Sequence, residues 1–371
     1  MNILALEPYY GGSHKAFIDS LSKVSENTWT VFTLPAHKWK WRMRHSAITF
    51  ARMAAEQLKK GKAPDMVFCS DMLNLAEFAA LAPVEISRLP KVIYFHENQL
   101  TYPVRIEDER DYQFAMTNLT SALAADAVWF NSRFHMNSFL EALVKFLKSM
   151  PDFQPLEVTE IIRAKSSVHP PGIADLTGLP EREPGPVRIL WAARWEHDKN
   201  PELFFEAIEI LKANEVQFKL SVIGQSFRDR PDVFSEAHRR FSDHIDHWGY
   251  QKTRPVYERV LQQSDVIVST ANHEFFGISV VEAIAAGAYP LVPNRLSYPE
   301  ILGLAQIENA EQFFYDGSPG DLANKLGRLA ARINQGALFP ATINPAILTD
   351  RFKWNNLAHQ YDRALEQTRS Q

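Results

Sequence analysis

Residues 264–285 read SDVIVSTANHEFFGISVVEAIA, and this stretch decides the fold class. The apolar run Val266–Ser269 predicts a short buried strand, because β-branched residues bounded by polar ones are typical of strands in parallel sheets. A helix should begin near Gly277–Ser279 and continue through Ala285. A strand, a polar loop and a helix in this order make up half of a βαβ unit.

The same alternation runs along most of the chain, so the predicted class is α/β with parallel sheets. The clearest helix runs from Ser46, predicted as its N-cap, to Gly61, predicted at the left-handed position that follows a helix. The predicted strands are Ile3–Leu6, Met66–Cys69, Val92–Phe95 and Ala127–Phe130 in the first half, and Arg188–Ala192, Lys219–Ile223, Val266–Ser269 and Pro290–Val292 in the second.

A segment rich in proline and glycine, Pro170–Pro186, interrupts this alternation without apolar periodicity, which is typical of an interdomain linker. A chain of 371 residues is long enough for two domains. An amphipathic helix from Trp354 to about Thr368 closes the chain and can pack back on the N-terminal domain. The predicted organisation is a Rossmann-like domain over 1–172, a linker over 173–186, a second Rossmann-like domain over 187–350 and the closing helix over 351–371.

Composition excludes several classes of protein. No apolar run approaches the roughly 20 residues that span a bilayer, and the N-terminus lacks the features of a signal peptide, so we expect a cytoplasmic protein. The single cysteine, Cys69, excludes a disulfide within the chain. The pair His244 and His247 lacks the further ligands of a zinc site, so we expect no metal. The net charge of −4 does not indicate a nucleic-acid partner, although a local basic patch can bind one.

Polar, charged or glycine-rich clusters follow directly after the predicted strands. In open parallel sheets, ligands bind outside the carboxyl ends of the strands, so these clusters can converge on one crevice, and two such sheets facing each other would form a cleft. The clusters are Gly11-Gly12-Ser13-His14, His96-Glu97-Asn98, Asn131-Ser132, Arg194 to Lys199, Gly224-Gln225 and His273-Glu274.

The most specific pattern is a pair of glutamates, Glu274 and Glu282, with seven residues between them. The predicted helix start between them presents backbone N–H groups and a positive dipole end, which suit a diphosphate. Arg194 and Lys199 supply positive charge for the same phosphates. Together these features predict a diphosphate site.

Other interpretations of these residues remain open. Ser279 and Glu282 match a capping box, in which Glu282 would bond back to the N-cap amide. Arg194 and Lys199 can equally be solvated charges at a helix start. A glycosidase acid/base pair is disfavoured, because eight helical residues span about 12 Å, more than the roughly 5–9.5 Å that such a pair needs.

A basic and aromatic segment, His37–His45, indicates an RNA partner. Cations for phosphates beside aromatic rings for unstacked bases suit a single-stranded loop such as an anticodon. Equally compatible are a half-buried edge strand or a loop that packs its tryptophans on the domain, and the segment could also lie on an anionic membrane. The candidate RNA-binding residues are Lys38, Trp39, Lys40, Trp41, Arg42 and Arg44.

With its glutamate pair and its upstream arginine and lysine, the chain resembles the retaining GT-B glycosyltransferases over both predicted domains. The resemblance implies two Rossmann-like domains facing across a cleft, with the acceptor side in the first and a nucleotide sugar bound by the second. It places Glu274 by the donor sugar, Glu282 on ribose hydroxyls, and Arg194 and Lys199 on the diphosphate. The backbone of Phe276, Gly277, Ile278 and Ser279 would contact sugar and phosphate, Gly11 and Gly12 would approach donor and acceptor, and His96 would lie near the donor sugar.

A narrower resemblance rests on the blocks EPYYGGSHKAF, TLPAHKWKWRMRHSA, YFHENQLTYPV, RWEHDKNPELFF, HWGY and STANHEFFGISVVEA, which are similar to the tRNA-queuosine α-mannosyltransferase family. The resemblance implies a transfer of mannose from GDP-mannose to the queuosine base at the wobble position of tRNA(Asp). It implies no metal and no cofactor beyond the donor.

For a retaining enzyme of this kind we expect front-face displacement, with Arg194, Lys199 and the helix N-terminus stabilising the leaving diphosphate. His96 would position the sugar or acceptor, and His14, Asn98 and Asn131 are weaker candidates for that task. Gln225 and Tyr250 would line the pocket for the nucleotide base. Two alternatives stay open: a GT-B transferase with another nucleotide sugar and a lipid or glycan acceptor, and a non-catalytic RNA-binding module that keeps a nucleotide pocket.

Overall fold

The computed structural model describes residues 1–103, 111–176, 185–227, 230–334, 338–339 and 345–370. The chain forms two compact units. The first comprises Met1–Gly172 together with Trp354–Gln371, and the second comprises Ile173–Lys353. Residues 177–184 of the predicted linker lie outside the described residues.

The first unit is built on a six-stranded sheet in which every neighbouring pair is parallel. The strand order is β2-β1-β3-β4-β5-β6. Interior strands such as β3 are buried along their whole length, because helices cover both faces of a parallel sheet. The strands are β1 (Asn2–Tyr10), β2 (Thr28–Pro35), β3 (Met66–Ser70), β4 (Lys91–Phe95), β5 (Ala127–Phe130) and β6 (Ser166–Val168).

The helices of this unit begin with sequence-encoded caps at several points. Asn74, Asp111 and Ser132 each accept a hydrogen bond from a backbone N–H in the first turn of the helix that follows. The helices are α1 (Gly12–Val24), α2 (Trp39–Lys59), α3 (Leu75–Leu81), α4 (Val84–Ser87), α5 (Tyr112–Ala124), α6 (Arg133–Lys148), α7 (Val158–Ala164) and, from the end of the chain, α15 (Trp354–Ser370).

The second unit repeats this architecture with a six-stranded parallel sheet of order β12-β11-β10-β7-β8-β9. Its strands are β7 (Val187–Ala192), β8 (Phe218–Ile223), β9 (Ile245–Gly249), β10 (Val266–Val268), β11 (Tyr289–Pro293) and β12 (Phe314–Tyr315). Its helices are α8 (Pro201–Ala213), α9 (Val233–Arg240), α10 (Arg254–Gln262), α11 (Ile278–Ala285), α12 (Tyr298–Ile301), α13 (Pro319–Asn334) and α14 (Ala346–Thr349), with 3₁₀ turns at His197–Lys199, Ser242–His244, Ala310–Phe313 and Asp350–Phe352. Across the described part of both units, no helix is long and apolar enough to cross a membrane.

All eight predicted strands are confirmed, and the four that the sequence did not reveal are β2, β6, β9 and β12. Each of these four lies at an edge of its sheet. An edge strand is not enclosed by neighbours on both sides, so it tolerates polar residues and short lengths and carries no continuous apolar run. β6 and β12 have only three and two residues.

The predicted start of α2 at Ser46 is wrong. The helix begins at Trp39, so the basic and aromatic segment forms its first two turns and is neither a strand nor a loop. Its N-cap is Lys38, which has a left-handed φ of 54° and makes no side-chain capping bond. Ser46 is buried inside the helix. The predicted end is confirmed, because Gly61 follows the helix with a φ of +72°.

Helix α15 packs on the first unit, although about half the chain separates it in sequence from the rest of that unit. The Tyr361 hydroxyl donates a hydrogen bond to the carbonyl of His169 at 3.0 Å. The Asp362 carboxylate accepts one from the backbone N–H of Glu26 at 2.8 Å. The indole of Trp354 lies against Gly172 and within 5.7 Å of the Phe17 ring. The first unit therefore needs both ends of the described chain.

Candidate active site

The candidate site residues fall into two groups, one in each unit, at the carboxyl ends of parallel strands. The group in the second unit follows β7 and β10. The group in the first unit follows β1, β3, β4 and β5. Each group is built from loops that a rigid sheet holds in place, which is where α/β proteins place their ligand sites.

Lys199 is the buried centre of the group in the second unit. Its ammonium donates a hydrogen bond to the carbonyl of His273 at 2.6 Å and forms ion pairs with Asp198 at 2.9 Å and Glu274 at 3.5 Å. Burial alone would raise the pKa of Glu274, but Lys199, His273 and Arg194 together lower it. Glu274 is therefore a carboxylate at neutral pH, fixed beside a buried cation and able to accept hydrogen bonds from hydroxyl groups.

Helix α11 begins where the sequence predicted. Gly277 is its N-cap, with a φ of 91° that a residue with a side chain rarely adopts. A Cβ at this position would also lie 2.9 Å from the ring of Tyr298. Because no side chain caps the helix, its first turn presents backbone N–H groups and a positive dipole end, as an anion site requires.

Ser279 and Glu282 do not form a capping box. The Ser279 hydroxyl donates to the carbonyl of Ala192 at 2.7 Å, which ties α11 to the end of β7. The Glu282 carboxylate instead accepts from the Tyr257 hydroxyl at 2.8 Å and pairs with the Arg254 guanidinium at 2.7 Å. These two residues of α10 hold the carboxylate in a defined orientation, which a residue that binds a ribose diol needs.

Most of the other predicted donor residues lie closer to solvent than Lys199, with Phe276 as the exception. Arg194 is partly exposed and forms an ion pair with Glu196 at 3.3 Å. Gln225 and Tyr250 are exposed in the loops that follow β8 and β9. Phe276 is buried beneath the start of α11. The Arg194 side chain is thus 40% exposed, whereas Lys199 is enclosed by protein groups.

In the first unit, two histidines and a glutamate form one compact cluster. His14, in the first turn of α1, is buried and its Nδ1 lies 3.3 Å from a carboxylate oxygen of Glu7 at the end of β1. Its imidazole is stacked on that of His96, with ring centres 4.0 Å apart. Burial would lower the pKa of His14, but the charge and hydrogen bond of Glu7 raise it to about 9. His14 is therefore an imidazolium at neutral pH.

His96 is in the opposite protonation state and is neutral at neutral pH. Burial, followed by the nearby positive charge of His14 and by His135, lowers its pKa well below the ordinary value. Its backbone N–H donates to the carboxylate of Asp71 at 2.8 Å. Burial raises the pKa of Asp71 to about 8, although His14 opposes that shift. A charged and a neutral imidazole thus lie face to face in one polar cluster.

The remaining predicted residues of this unit hold the loops in shape. Asn98 accepts hydrogen bonds from the backbone N–H groups of Leu100 and Thr101, and Asn131 donates to the carbonyl of His96 at 2.9 Å. We therefore assign both asparagines a structural role instead of direct contact with a ligand. Gly11 lies so close to the side chain of Ala36 that a Cβ would clash, and Gly12 opens α1.

One group of possible metal ligands occurs among the described residues, in the same cluster of Glu7, His14 and His96. The three ligand atoms lie within 4.8 Å of one another. The His14 Nδ1 lies 3.3 Å from the Glu7 carboxylate, and the two imidazole rings are tilted by 36° with their centres 4.0 Å apart. In this arrangement Glu7 and His14 form an ion pair. His244 contacts the carbonyl of Phe218, and His247 contacts Gln263.

The predicted RNA-binding residues divide by the helical period of α2. Lys38, Lys40, Trp41 and Arg44 are exposed, with 61% of Trp41 accessible to solvent. Trp39 is half-buried and packs on the ring of Phe114. Arg42 is buried, and its guanidinium contacts the carbonyl of Pro35 at 2.9 Å and the rings of His37 and His45. Arg42 therefore belongs to the interior of the unit and is not available to RNA.

Sequence reasoning missed several residues that shape these groups. Glu7 follows the predicted strand Ile3–Leu6, although it lies inside the longer β1, and Asp71 follows β3. The rule that polar residues after strands gather at one edge would therefore have found both. Asp198 lies within a cluster that was recognised, but its pairing with Lys199 was not foreseen. Arg254 and Tyr257 gave no signal, because their contact with Glu282 joins two helices that are distant in sequence.

Comparison with known sequences matches each half of the chain to a family. Residues 2–173 match the family model described as tRNA-queuosine alpha-mannosyltransferase N-terminal, and residues 180–331 match glycosyl transferases group 1. A curated relative from Drosophila melanogaster, named tRNA-queuosine alpha-mannosyltransferase, is 38% identical over 312 residues. The match covers 81% of this chain and 81% of the relative.

Solved structures share the fold at low sequence identity. Anabaena Alr3699/HepE in complex with UDP and glucose superposes with a TM-score of 0.65 at 16% identity, covering 99% of each chain. Sucrose-phosphate synthase from Thermosynechococcus elongatus gives a TM-score of 0.69 at 15% identity, again covering 99% of each chain. At such identities the likeness concerns the fold alone, and it confirms the predicted α/β GT-B class.

Proposed function

Because the chain belongs to the family of tRNA-queuosine alpha-mannosyltransferases, we propose that it transfers mannose from GDP-mannose to the queuosine base at the wobble position of tRNA(Asp) in the cytoplasm. The chain is a glycosyltransferase. The donor, the sugar and the particular tRNA are the parts of this proposal that go further than the family assignment.

The observation that carries the proposal is the arrangement around α11. An uncapped helix start, the partly exposed Arg194 and the buried Lys199 lie in one unit, beside two oriented carboxylates. The helix start and the cations suit a diphosphate. Glu282, held by Arg254 and Tyr257, suits the ribose hydroxyls, and Glu274 suits the sugar. Together, the diphosphate-binding features and the two carboxylates fit a nucleotide-diphosphate sugar better than either set does alone.

In the proposed reaction, the acceptor hydroxyl attacks the anomeric carbon on the face from which the diphosphate departs. The bond between the anomeric carbon and the phosphate oxygen breaks, its electron pair passes to that oxygen, and the hydroxyl proton follows to the diphosphate. Arg194 and the N-terminus of α11 stabilise the negative charge as it develops, while Lys199 keeps Glu274 in position. His96 is neutral beside the charged His14. It can donate a hydrogen bond to the sugar or the acceptor, or accept one from either.

Lys40, Trp41 and Arg44 form an exposed stripe on α2 that supports an RNA acceptor. The stripe places cations for phosphates next to a ring for a base. A lipid acceptor would also tolerate a basic and aromatic helix. The experiment below separates these two acceptors.

The test incubates the purified protein with radiolabelled GDP-mannose and with tRNA from cells that either contain or lack queuosine. Label is expected only in the queuosine-containing tRNA. The variant Arg194→Gln should lower the rate by about 100-fold or more, since it removes a charge that stabilises the leaving group. Arg239→Gln, which changes an exposed arginine on α9, is the matched control and should keep the parental rate.

Three results would contradict the proposal. Equal labelling of both tRNA samples would exclude queuosine as the acceptor. Label in neither sample, combined with label in an added lipid or glycan, would favour the alternative acceptor class, and donor binding without any turnover would favour a non-catalytic RNA-binding protein.

A further inference from the structure

A groove of about 500 Å³ lies between α2, α5 and α6 of the first unit. Its lining residues belong to neither of the two groups of candidate site residues at the carboxyl ends of the strands. Its volume is within the range of about 300–1,000 Å³ that is typical of sites for small organic groups. The residues that define this Tyr112 groove are Arg44, Tyr112, Gln113, Met116, Phe146 and Met150.

The Tyr112 groove is apolar and aromatic. The rings of Tyr112 and Phe146 are stacked at 5.3 Å with an interplanar angle of 15°. Tyr112 is nonetheless 48% exposed and Met116 is 41% exposed. Large apolar side chains that remain this exposed beside one another form a surface on which a further flat group can pack. Stacking on such a surface tolerates every base, since each base has a π-face.

Arg44 connects the groove to the exposed stripe of α2. It lines the groove, its guanidinium lies 4.8 Å from the centre of the Phe114 ring, and it donates a hydrogen bond to the side chain of Gln113 at 2.6 Å. This contact fixes a cation at the rim. Lys40 and Trp41 lie on the same exposed turns of α2. A chain of phosphates that follows the stripe would therefore be led to the groove.

Among the residues that the structure describes, Arg44 is the charged side chain that lines the groove. Lys145 and Lys148 lie in the last turn of α6, which also carries Phe146. The described acid Asp111, at the start of α5, is engaged as the helix cap, its carboxylate accepting from the backbone N–H of Gln113 at 3.1 Å. An apolar floor with a cationic rim matches an aromatic group attached to phosphates.

We propose that the Tyr112 groove binds an unstacked base of the single-stranded RNA loop that carries the acceptor, stacked on Tyr112, with the adjoining phosphate paired to Arg44. This inference rests on the proposed function, because it assumes an RNA acceptor. It adds α5 and α6 to the RNA-binding surface, and it assigns to the groove the part of loop recognition that does not depend on the modified base.

The test measures the Kd of a fluorescent anticodon stem–loop RNA that lacks queuosine. Tyr112→Ala should raise this Kd about tenfold, because it removes a stacking partner. Tyr112→Phe keeps the ring and should restore the affinity. Leu81→Ala, which changes an exposed apolar residue outside the groove, is the matched control and should bind like the parent. Arg44→Gln should lower the slope of log Kd against log salt by about one.

The thermal midpoint of each variant shows that the fold is kept. Equal Kd values for Tyr112→Ala and the parent overturn the inference, as does the absence of stem–loop binding by the parent. If Tyr112→Ala weakens binding to phosphatidylserine vesicles but not to the stem–loop, the inference is also overturned and a lipid surface is indicated. Failure of the proposed function looks different: tRNA then receives no label although Tyr112→Ala still weakens stem–loop binding.

Discussion

Glu7 and His14 show how the fold sets the charge of a single side chain. An isolated buried histidine is expected to be neutral, because burial disfavours the charged form. Here the Glu7 carboxylate, at 3.3 Å, outweighs burial and raises the pKa of His14 to about 9. Burial is the main cause of the lowered pKa of His96, and the positive charge of His14, whose ring centre lies 4.0 Å away, lowers it further. The Glu7 carboxylate therefore acts directly on His14 and, through His14, on His96.

This ion pair predicts a pH dependence of stability. The pKa of His14 rises from 6.5 to about 9 on folding, so the folded protein binds the proton more tightly than the unfolded chain. The corresponding stabilisation, about 3 kcal/mol, is complete below pH 6.5 and is lost as the pH rises through about 9. We expect the difference in unfolding free energy between the parent and Glu7→Gln to shrink over this window, as measured by urea denaturation.

Asp71 has to be considered in the same experiment. Its pKa rises from 3.8 to about 8 on folding. Its contribution to the unfolding free energy therefore also decreases as the pH rises through this range. Because Glu7 and His14 both act on the pKa of Asp71, the comparison is repeated in an Asp71→Asn background, where Glu7→Gln changes the His14 pair without a titrating Asp71. Asp19→Asn, which removes an exposed ion pair with Lys15, should give a difference that does not change with pH. A constant difference for Glu7→Gln as well would show that His14 is not charged.

At the scale of elements, α2 combines an interior role and an exposed one within two turns. The helical period sends Arg42 and Met43 into the unit and leaves Lys40, Trp41 and Arg44 outside. Arg42 links the first turns of α2 to the end of β2 through the carbonyl of Pro35. Neighbouring residues of one basic and aromatic segment therefore have different functions.

Substitutions of two adjacent residues should separate these functions. Arg42→Ala removes a buried guanidinium with several partners and should lower the unfolding free energy by about 2 kcal/mol. Trp41→Ala changes an exposed ring and should alter the unfolding free energy by less than about 0.5 kcal/mol, while raising the Kd for stem–loop RNA about tenfold. Urea denaturation and fluorescence anisotropy measure the two effects. A similar loss of stability in both variants would contradict the division of the segment.

At the scale of the whole molecule, the first unit is assembled from two stretches of chain that are far apart in sequence. Its sheet ends near residue 168, yet α15 returns from beyond the second unit and packs against α1 and β4. The second unit is formed by one continuous stretch, Ile173–Lys353. The stability of the first unit therefore depends on residues at the far end of the chain.

Trp354→Ala tests this dependence. The indole is 6% exposed and packs among Gly172, Phe17 and Tyr361, so its removal should lower the unfolding free energy by about 3–5 kcal/mol. The affinity for GDP, the nucleotide of the proposed donor, should change little, because Glu282, Arg194 and the start of α11, which are proposed to bind the ribose and the diphosphate, lie in the second unit. Calorimetry and equilibrium binding give the two quantities. Loss of GDP affinity at a temperature where the variant is still folded would show that the first unit also supports nucleotide binding.

The sequence by itself determined the interior of both sheets and the start of α11. Interior strands are buried on both faces, so each appears as a continuous apolar run that can be identified without knowledge of its neighbours. Gly277 and the spacing of Glu274 and Glu282 are equally local, because a helix start depends on a few adjacent residues. The edge strands were not predicted because they are short or rich in polar residues, so their sequences contain no long apolar run.

Only the tertiary structure decided which side chains meet. Glu7 lies in β1, whereas Asp71 and His96 directly follow β3 and β4. The three residues gather because the strand order places β1, β3 and β4 side by side. Glu282 meets Arg254 and Tyr257 across two helices, where the sequence suggested a local capping box. Local sequence encodes the period, caps and burial of each element, whereas partners between elements follow from how the chain packs, and packing depends on all elements together.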